Sequence, residues 1–262
     1  MLAQQIAGSI TVRRGESTRI QTMSLDPSRR ALVTGLVGVL GGGAYFLTQS
    51  GDTATQEQVS SFHSSDETSA LGVDLAGKPI MGSPEAPIQM YYWTDFQCPF
   101  CGKFERETLP DLVREYVDPG TVRIVFISLP YFGGDSMTAA VAGKCVWEQV
   151  RDSEPSAYWN WHTTVFEEQG EKNSGWAATE NLLEYTRSVD GVDADALETC
   201  LDEQRSTFET QVDADAEHAR SLGVSATPTF AILDRDANSL ETLVGAQPKS
   251  RFDEAIERIE SE

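Results

Sequence analysis

The chain has 262 residues, of which 41 are acidic and 20 basic, giving a net charge of −21. A hydrophobic share of 40% is enough for a packed core and excludes global disorder. So anionic a body repels phosphate backbones, which excludes nucleic acid as a partner.

The N-terminal segment departs from this balance, with Arg13, Arg14, Arg19, Arg29 and Arg30 against only Glu16 and Asp26 in residues 1–48. Residues 31–51, ALVTGLVGVLGGGAYFLTQSG, carry no charge. As a helix this run would extend roughly 31 Å, enough to cross a bilayer. Arginines ahead of it place the N terminus in the cytoplasm and the body outside. The stretch SRRAL, residues 28–32, resembles a twin-arginine export signal, and no A-x-A-like cleavage site follows the apolar run. The expectation is a basic region over residues 1–30 and a signal-anchor or transmembrane helix over residues 31–48. The chain would then cross the cell membrane once, with secretion after signal cleavage as the alternative. A start at Met23 would give a compact n-region, MSLDPSRR, and the hypothesis follows that residues 1–22 are untranslated. Residues 49–77, rich in Ser, Thr, Gln, Asp and Gly, are expected to form a flexible linker with His63 solvated in it.

From Pro87 the pattern changes. IQMYYWT at 88–94 reads as a strand, and a helix is expected from Cys98–Pro99, since proline suits a first helical turn. Pro110 should kink that helix rather than end it. TVRIVFISL at 121–129 is a second strand, and two parallel strands joined by a helix form a right-handed βαβ unit. Helical runs then fill residues 134–222, with Asp135, Ser174 and Asp193 as N-cap candidates. TPTFAIL at 227–233 and LETLV at 240–244 read as antiparallel strands, and KSRFDEAIERIE at 249–260 as an amphipathic closing helix. The fold class is α/β, with one sheet split by a helical insertion. Only five of the basic residues are lysines. That composition suits either a high-salt medium, where ions screen self-repulsion, or an ordinary acidic protein.

The chemistry concentrates in TDFQCPFCGKFE, residues 94–105. A structural zinc site would want four Cys or His ligands, commonly in two close pairs, and Cys98 and Cys101 have no second close pair. No metal or other cofactor is therefore expected. A purely structural disulfide across so short a loop would be a poor staple. Electron transfer fits best. A cysteine at a helix N-terminus meets unpaired N–H groups and the positive end of the dipole, which favour the nucleophilic thiolate. Cys98 is expected as the exposed attacker and Cys101, one turn later, as the partly buried resolver. Cys145 and Cys200 read either as free buried cysteines or as a second disulfide. Tyr158, Trp159, Trp161 and Phe166, near His162, read as core, with a peptide-binding rim as the other option.

The order of a strand, FQCPFC, a proline-kinked helix, a helical insertion and GVSATPTF resembles the DsbA-like branch of the thioredoxin superfamily. The resemblance covers residues 78–262. It implies a thioredoxin fold whose insertion, residues 134–222, separates a βαβ half from a ββα half. It implies a cis Thr227–Pro228 peptide facing a redox-active Cys98–Cys101 pair, with the Thr227 backbone available to an extended substrate chain. Pro99–Phe100 stands where strongly oxidising members of the family have Pro-His, so the disulfide should be less oxidising. Tyr92 occupies a position where some members place a buried acid. Asp95 resembles the D-F-x-C-P-x-C form of the family and reads either as a proton relay for Cys101 or as a solvated strand-end carboxylate. The function implied is extracytoplasmic thiol–disulfide exchange with cysteine-containing substrate proteins, the oxidase direction favoured, recycled by a membrane or soluble redox partner. A reductase or isomerase using the same site is one alternative. A membrane-tethered binding module with a structural 98–101 disulfide is the other.

Overall fold

The computed structural model describes residues 61–69, 71–236 and 238–261. The basic region, the anchor helix and the first part of the linker lie outside the described residues. Among the described residues no helix is long and apolar enough to cross a membrane.

The strands among the described residues number six and form one sheet in the order β1-β2-β4-β3-β5-β6. They are β1 (Phe62–His63), β2 (Ile80–Met81), β3 (Ile88–Thr94), β4 (Val122–Ser128), β5 (Thr229–Asp234) and β6 (Leu240–Val244). β3 and β4 run parallel, whereas β5 and β6 pair antiparallel beside them. Every residue of β3 is buried, because both faces of the sheet are covered and strict polar–apolar alternation is not required. Tyr92 lies opposite Phe126 and Phe230 and packs on both rings. Tyr91 and Trp93 face the other way, into a second cluster with Val125, Ile127 and Leu233.

The βαβ crossover starts with α1 (Pro99–Glu107). The proline effect is stronger than a kink. The helix breaks at Thr108, restarts as α2 (Leu109–Leu112), and passes through a π-helical turn at Val113–Val117. A proline lacks the N–H for its own helical bond and its ring clashes with the carbonyl four residues back, so the break falls just ahead of Pro110. The insertion comprises α3 (Gly134–Val150), α4 (Ala157–Glu167), α5 (Thr179–Thr186), α6 (Ala194–Glu203) and α7 (Arg205–Ser221), and α8 (Lys249–Ser261) closes the chain. Of the three expected caps only Asp193 acts as one, accepting from the N–H groups of Asp195 and Ala196. Asp135 lies inside the first turn of α3, where it accepts instead from Gly175 N–H at 3.2 Å. Ser174 lies ahead of α5, whose cap position is Ala178.

The linker expectation is corrected over residues 61–69 and 71–77. Phe62 pairs with Met81 across β1 and β2 and packs against Phe126, Trp147, Tyr158 and Trp159. Val73 and Leu75 are buried in the second cluster. The segment is too polar to make its own core, yet it carries enough apolar groups to complete a core supplied by the rest of the domain. His63 is accordingly half-buried rather than solvated, and burial, helped by Arg123, lowers its pKa.

Cys145 of α3 and Cys200 of α6 are bonded, S–S 2.07 Å, so the disulfide and not the free-thiol alternative is present. The aromatic run of α4 is core. Tyr158, Trp161, His162 and Phe166 are buried, and half-buried Trp159 packs on Phe62 and Phe126, which leaves no rim for a peptide there.

Candidate active site

Cys98 occupies the N-cap position of α1 with an extended backbone, φ −77° and ψ 116°, and Pro99 takes the first helical position. The strand end aims this cap at the turn before β5. There the Thr227–Pro228 peptide is cis, and Cys98 Sγ donates to the Thr227 carbonyl at 3.2 Å. Cys98 and Cys101 are both free thiols. The structure therefore brings Cys98, Cys101, Thr227 and Pro228 together, although they are far apart in sequence.

The two sulfurs differ electrostatically. The Cys98 pKa is lowered from 9.0 to about 6. A hydrogen bond from Cys101 contributes most, contact with Thr227 and the N–H groups of Cys101 and Phe100 add to it, and burial opposes them. No cation is among these groups, so the neighbouring thiol, Thr227 and the helix start supply the stabilisation. Cys101 goes the other way. Burial pushes its pKa well above the ordinary value, and the nearby Cys98 adds to the rise.

Cys98 was expected to be exposed, and this is corrected: the residue is 1% exposed. The side chain turns inward onto Cys101 and the Thr227 carbonyl. On the backbone of the same turn, Gln169 Nε2 donates to the carbonyls of Phe96 at 2.6 Å and Cys98 at 3.0 Å. Gly102 makes room for this amide, since a Cβ there would lie 2.2 Å from Gln169 Oε1. Gln97 secures the same loop, accepting from Asn173 N–H at 2.6 Å and donating to Ser136 Oγ at 3.0 Å. Neither glutamine carried a signal in the sequence beyond its nearness to a motif.

Asp95 is 2% exposed, which corrects the solvated reading. Its carboxylate accepts from the N–H groups of Gln97 (2.8 Å), Tyr131 (2.6 Å) and Phe132 (3.3 Å) and from Ser136 Oγ (2.9 Å). Burial raises its pKa against these bonds. Asp95 meets Cys101 through its backbone, while its carboxylate fastens the loop after β4 and the start of α3 to the strand end.

A further polar group lies beneath the cysteines. Glu105 of α1 and His162 of α4 are both buried, with Nε2 and Oε1 2.9 Å apart. A signal for both was present. Glu105 follows Cys101 by four residues, on the helix face that Phe104 buries, and His162 follows Tyr158 by four on an aromatic stripe. A polar side chain on such a face needs a partner when buried.

A protein-family model described as Thioredoxin matches residues 75–257. Disulfide bond formation protein D of Bacillus subtilis is 27% identical over 188 residues, 72% of this chain and 78% of the relative. Probable disulfide bond formation protein D of Bacillus cereus is 28% identical over 159 residues, 60% of this chain and 71% of the relative. Among solved structures, oxidised BdbD from Bacillus subtilis superposes with a TM-score of 0.62 at 25% identity, covering 71% of this chain and 94% of that one. Chlamydia trachomatis DsbA gives 0.59 at 23% identity, covering 70% and 91%, a likeness of fold.

Proposed function

The chain belongs to the thioredoxin family as a DsbA-like thiol–disulfide oxidoreductase, and from that premise we propose that it exchanges disulfides through Cys98 and Cys101, as an oxidase of protein cysteines outside the cytoplasm. The observation that carries this reading is the acidic Cys98 thiol seated against the cis Thr227–Pro228 peptide. In the oxidised enzyme a substrate thiolate attacks Cys98 Sγ, the 98–101 bond breaks, and Cys101 leaves and takes up a proton. A second substrate thiolate then attacks the substrate sulfur of the mixed disulfide. The substrate gains a disulfide, Cys98 leaves as its stabilised thiolate, and the enzyme holds two more electrons. A membrane or soluble redox partner removes them. An extended substrate chain would take over the Thr227 backbone, to which Cys98 Sγ donates at rest. Phe100, 63% exposed, and Tyr131, 58% exposed, offer apolar surface to such a chain. Asp95 serves as the anchor of the site. Residues 31–48 would tether the enzyme to the membrane, and the acidic surface suits a salt-rich medium.

Replacing Cys101 with Ala is expected to accumulate mixed disulfides between Cys98 and substrate proteins, visible as reductant-sensitive adducts on a non-reducing gel. A tethered binding module would trap none, and an empty lane would sink the exchange reading.

Phe100 favours a second direction of flow. Without a cation beside Cys98, the disulfide is expected to be less oxidising than a Pro-His centre. A reduction potential measured against glutathione should fall on the negative side of about −120 mV, the poise of a strong oxidant. A value more negative than about −270 mV, that of a dedicated reductant, would reverse the direction assigned here.

A further inference from the structure

Two carbonyls of the redox turn, one on each side of Cys98 Sγ, share a single donor from the helical insertion. Gln169 Nε2 reaches the Phe96 carbonyl at 2.6 Å and the Cys98 carbonyl at 3.0 Å. The Cys98 carbonyl already accepts the first helical bond, from Gly102 N–H at 3.1 Å, so the amide takes its second lone pair. Gln169 lies just past α4, in a segment fastened at both ends. Before it, the Phe166 ring packs on the Phe96 ring with centroids 4.9 Å apart. After it, Gly170 lies so close to buried Trp176 that a Cβ would meet the ring at 3.0 Å, and Asn173 N–H donates to Gln97 Oε1 at 2.6 Å. Opposite the amide stands Gly102, where a Cβ would come within 2.2 Å of Gln169 Oε1 and 3.0 Å of its Cδ.

These bonds bear on one torsion. Cys98 Sγ sits at the open end of α1, where the first N–H groups have no backbone partner, and it donates to the Thr227 carbonyl at 3.2 Å. Both placements depend on how the helix is turned relative to Cys98. Pro99 fixes its own φ through its ring. The torsion left between them is ψ of Cys98, 116°, and ψ sets the direction of the carbonyl that Gln169 grips. The bond to Phe96 fixes the peptide plane ahead of the cap in the same way. We propose that Gln169 is a positioning residue for Cys98: by gripping the carbonyls of Phe96 and Cys98 it holds Sγ at the helix start and against Thr227, so that the insertion sets how readily the disulfide is given away; the inference rests on the thiol-exchange reading above. The thiolate that leaves in the second exchange is the form this placement favours. A looser turn raises the energy of the reduced enzyme and makes its disulfide less oxidising. No proton or electron passes through Gln169.

Gln169→Leu keeps the bulk of the side chain and removes its donor. The Cys98 thiolate absorbance is then expected to titrate at about 7 rather than about 6. Above about pH 8 the equilibrium with glutathione should move about tenfold towards oxidised enzyme, the factor that accompanies such a rise. Gly102→Ala reaches the same amide from the other side, since the added methyl displaces it. This variant should fold, because Ala favours a helix interior over Gly. It should reproduce both shifts, and the double variant should show no more than either single one, because both remove the same grip. An effect through Arg106, whose Nη1 lies 3.0 Å from the added methyl, would instead add to that of Gln169→Leu. Additive shifts would therefore overturn the proposal. So would a wild-type thiolate midpoint and glutathione equilibrium in Gln169→Leu, even with a lower urea midpoint, since Gln169 would then only pack. Should Gln169→Leu not fold, a wild-type thiolate midpoint in Gly102→Ala overturns it alone. Failure of the unmodified protein to equilibrate with glutathione would sink the exchange reading instead, and the absorbance titration would still decide the positioning of Cys98.

Discussion

Replacing Cys145 and Cys200 together with Ala is expected to lower the unfolding free energy by about 4 kcal/mol, the chain-entropy value for releasing a loop of this length. The bond joins residues 55 apart. It pins α3, which lies in the main core, to α6, which closes the outer side of the insertion. Between the two cysteines run α4 and α5, and so does the segment whose Gln169 and Asn173 bond to Cys98 O and Gln97. Without the bond the unfolded chain gains freedom while the packing of Trp147, Trp161 and Leu197 is unchanged, so the loss should appear in the urea midpoint. The comparison is made with the 98–101 pair in one fixed redox state, so that it does not contribute. A stability difference below about 1 kcal/mol would mean that the insertion is held by packing alone and the bond adds nothing. Where folded, the double variant should still be trapped through Cys98, because neither cysteine reaches that site.

Much of this architecture was legible because periodicity reports which face is buried. On α8 it shows as Phe252, Ala255, Ile256 and Ile259 on one stripe, whereas Val122 to Ser128 and Thr229 to Asp234, buried on both faces, are legible as short β-branched and aromatic runs. The redox pair was legible because its spacing and the adjacent proline constrain geometry locally. Three features were not legible, each for a physical reason. The folding of residues 61–69 and 71–77 depends on burial offered by distant elements, which local composition cannot register. The hold on the Cys98 backbone depends on Gln169, brought across by a segment more than 60 residues downstream. The Glu105–His162 pair looked like one more charge in a charged helix and one more ring in an aromatic run. Their face positions carried the information, but the partner of each lies on another helix, and no single-helix pattern can reveal it.

The thiolate absorbance of Cys98 in the reduced protein is expected to titrate with a midpoint near 6 rather than 9.0. At neutral pH that makes about nine-tenths of the sulfur ionised, against about one-hundredth for the ordinary thiol. The gain in attack is smaller than this ratio. Nucleophilicity falls with basicity, by about 20-fold over three pKa units, which leaves an advantage of only about fivefold. The larger consequence falls on Cys98 as a leaving group, since a stabilised thiolate departs faster and an enzyme with a stable reduced form gives its disulfide away. Because Cys101 contributes most to the shift, Cys101→Ala should move the midpoint up towards the ordinary thiol value. Stability should follow the same sign. A group whose pKa is depressed by folding stabilises the folded state fully above its unfolded value, and this is lost as pH falls through its folded value. The reduced protein should therefore gain resistance to urea from pH 6 towards pH 9. The oxidised protein, having no thiolate, should lack that slope. A midpoint near 9 in the intact protein, or one that Cys101→Ala leaves unmoved, would remove the electrostatic asymmetry on which the direction of exchange depends.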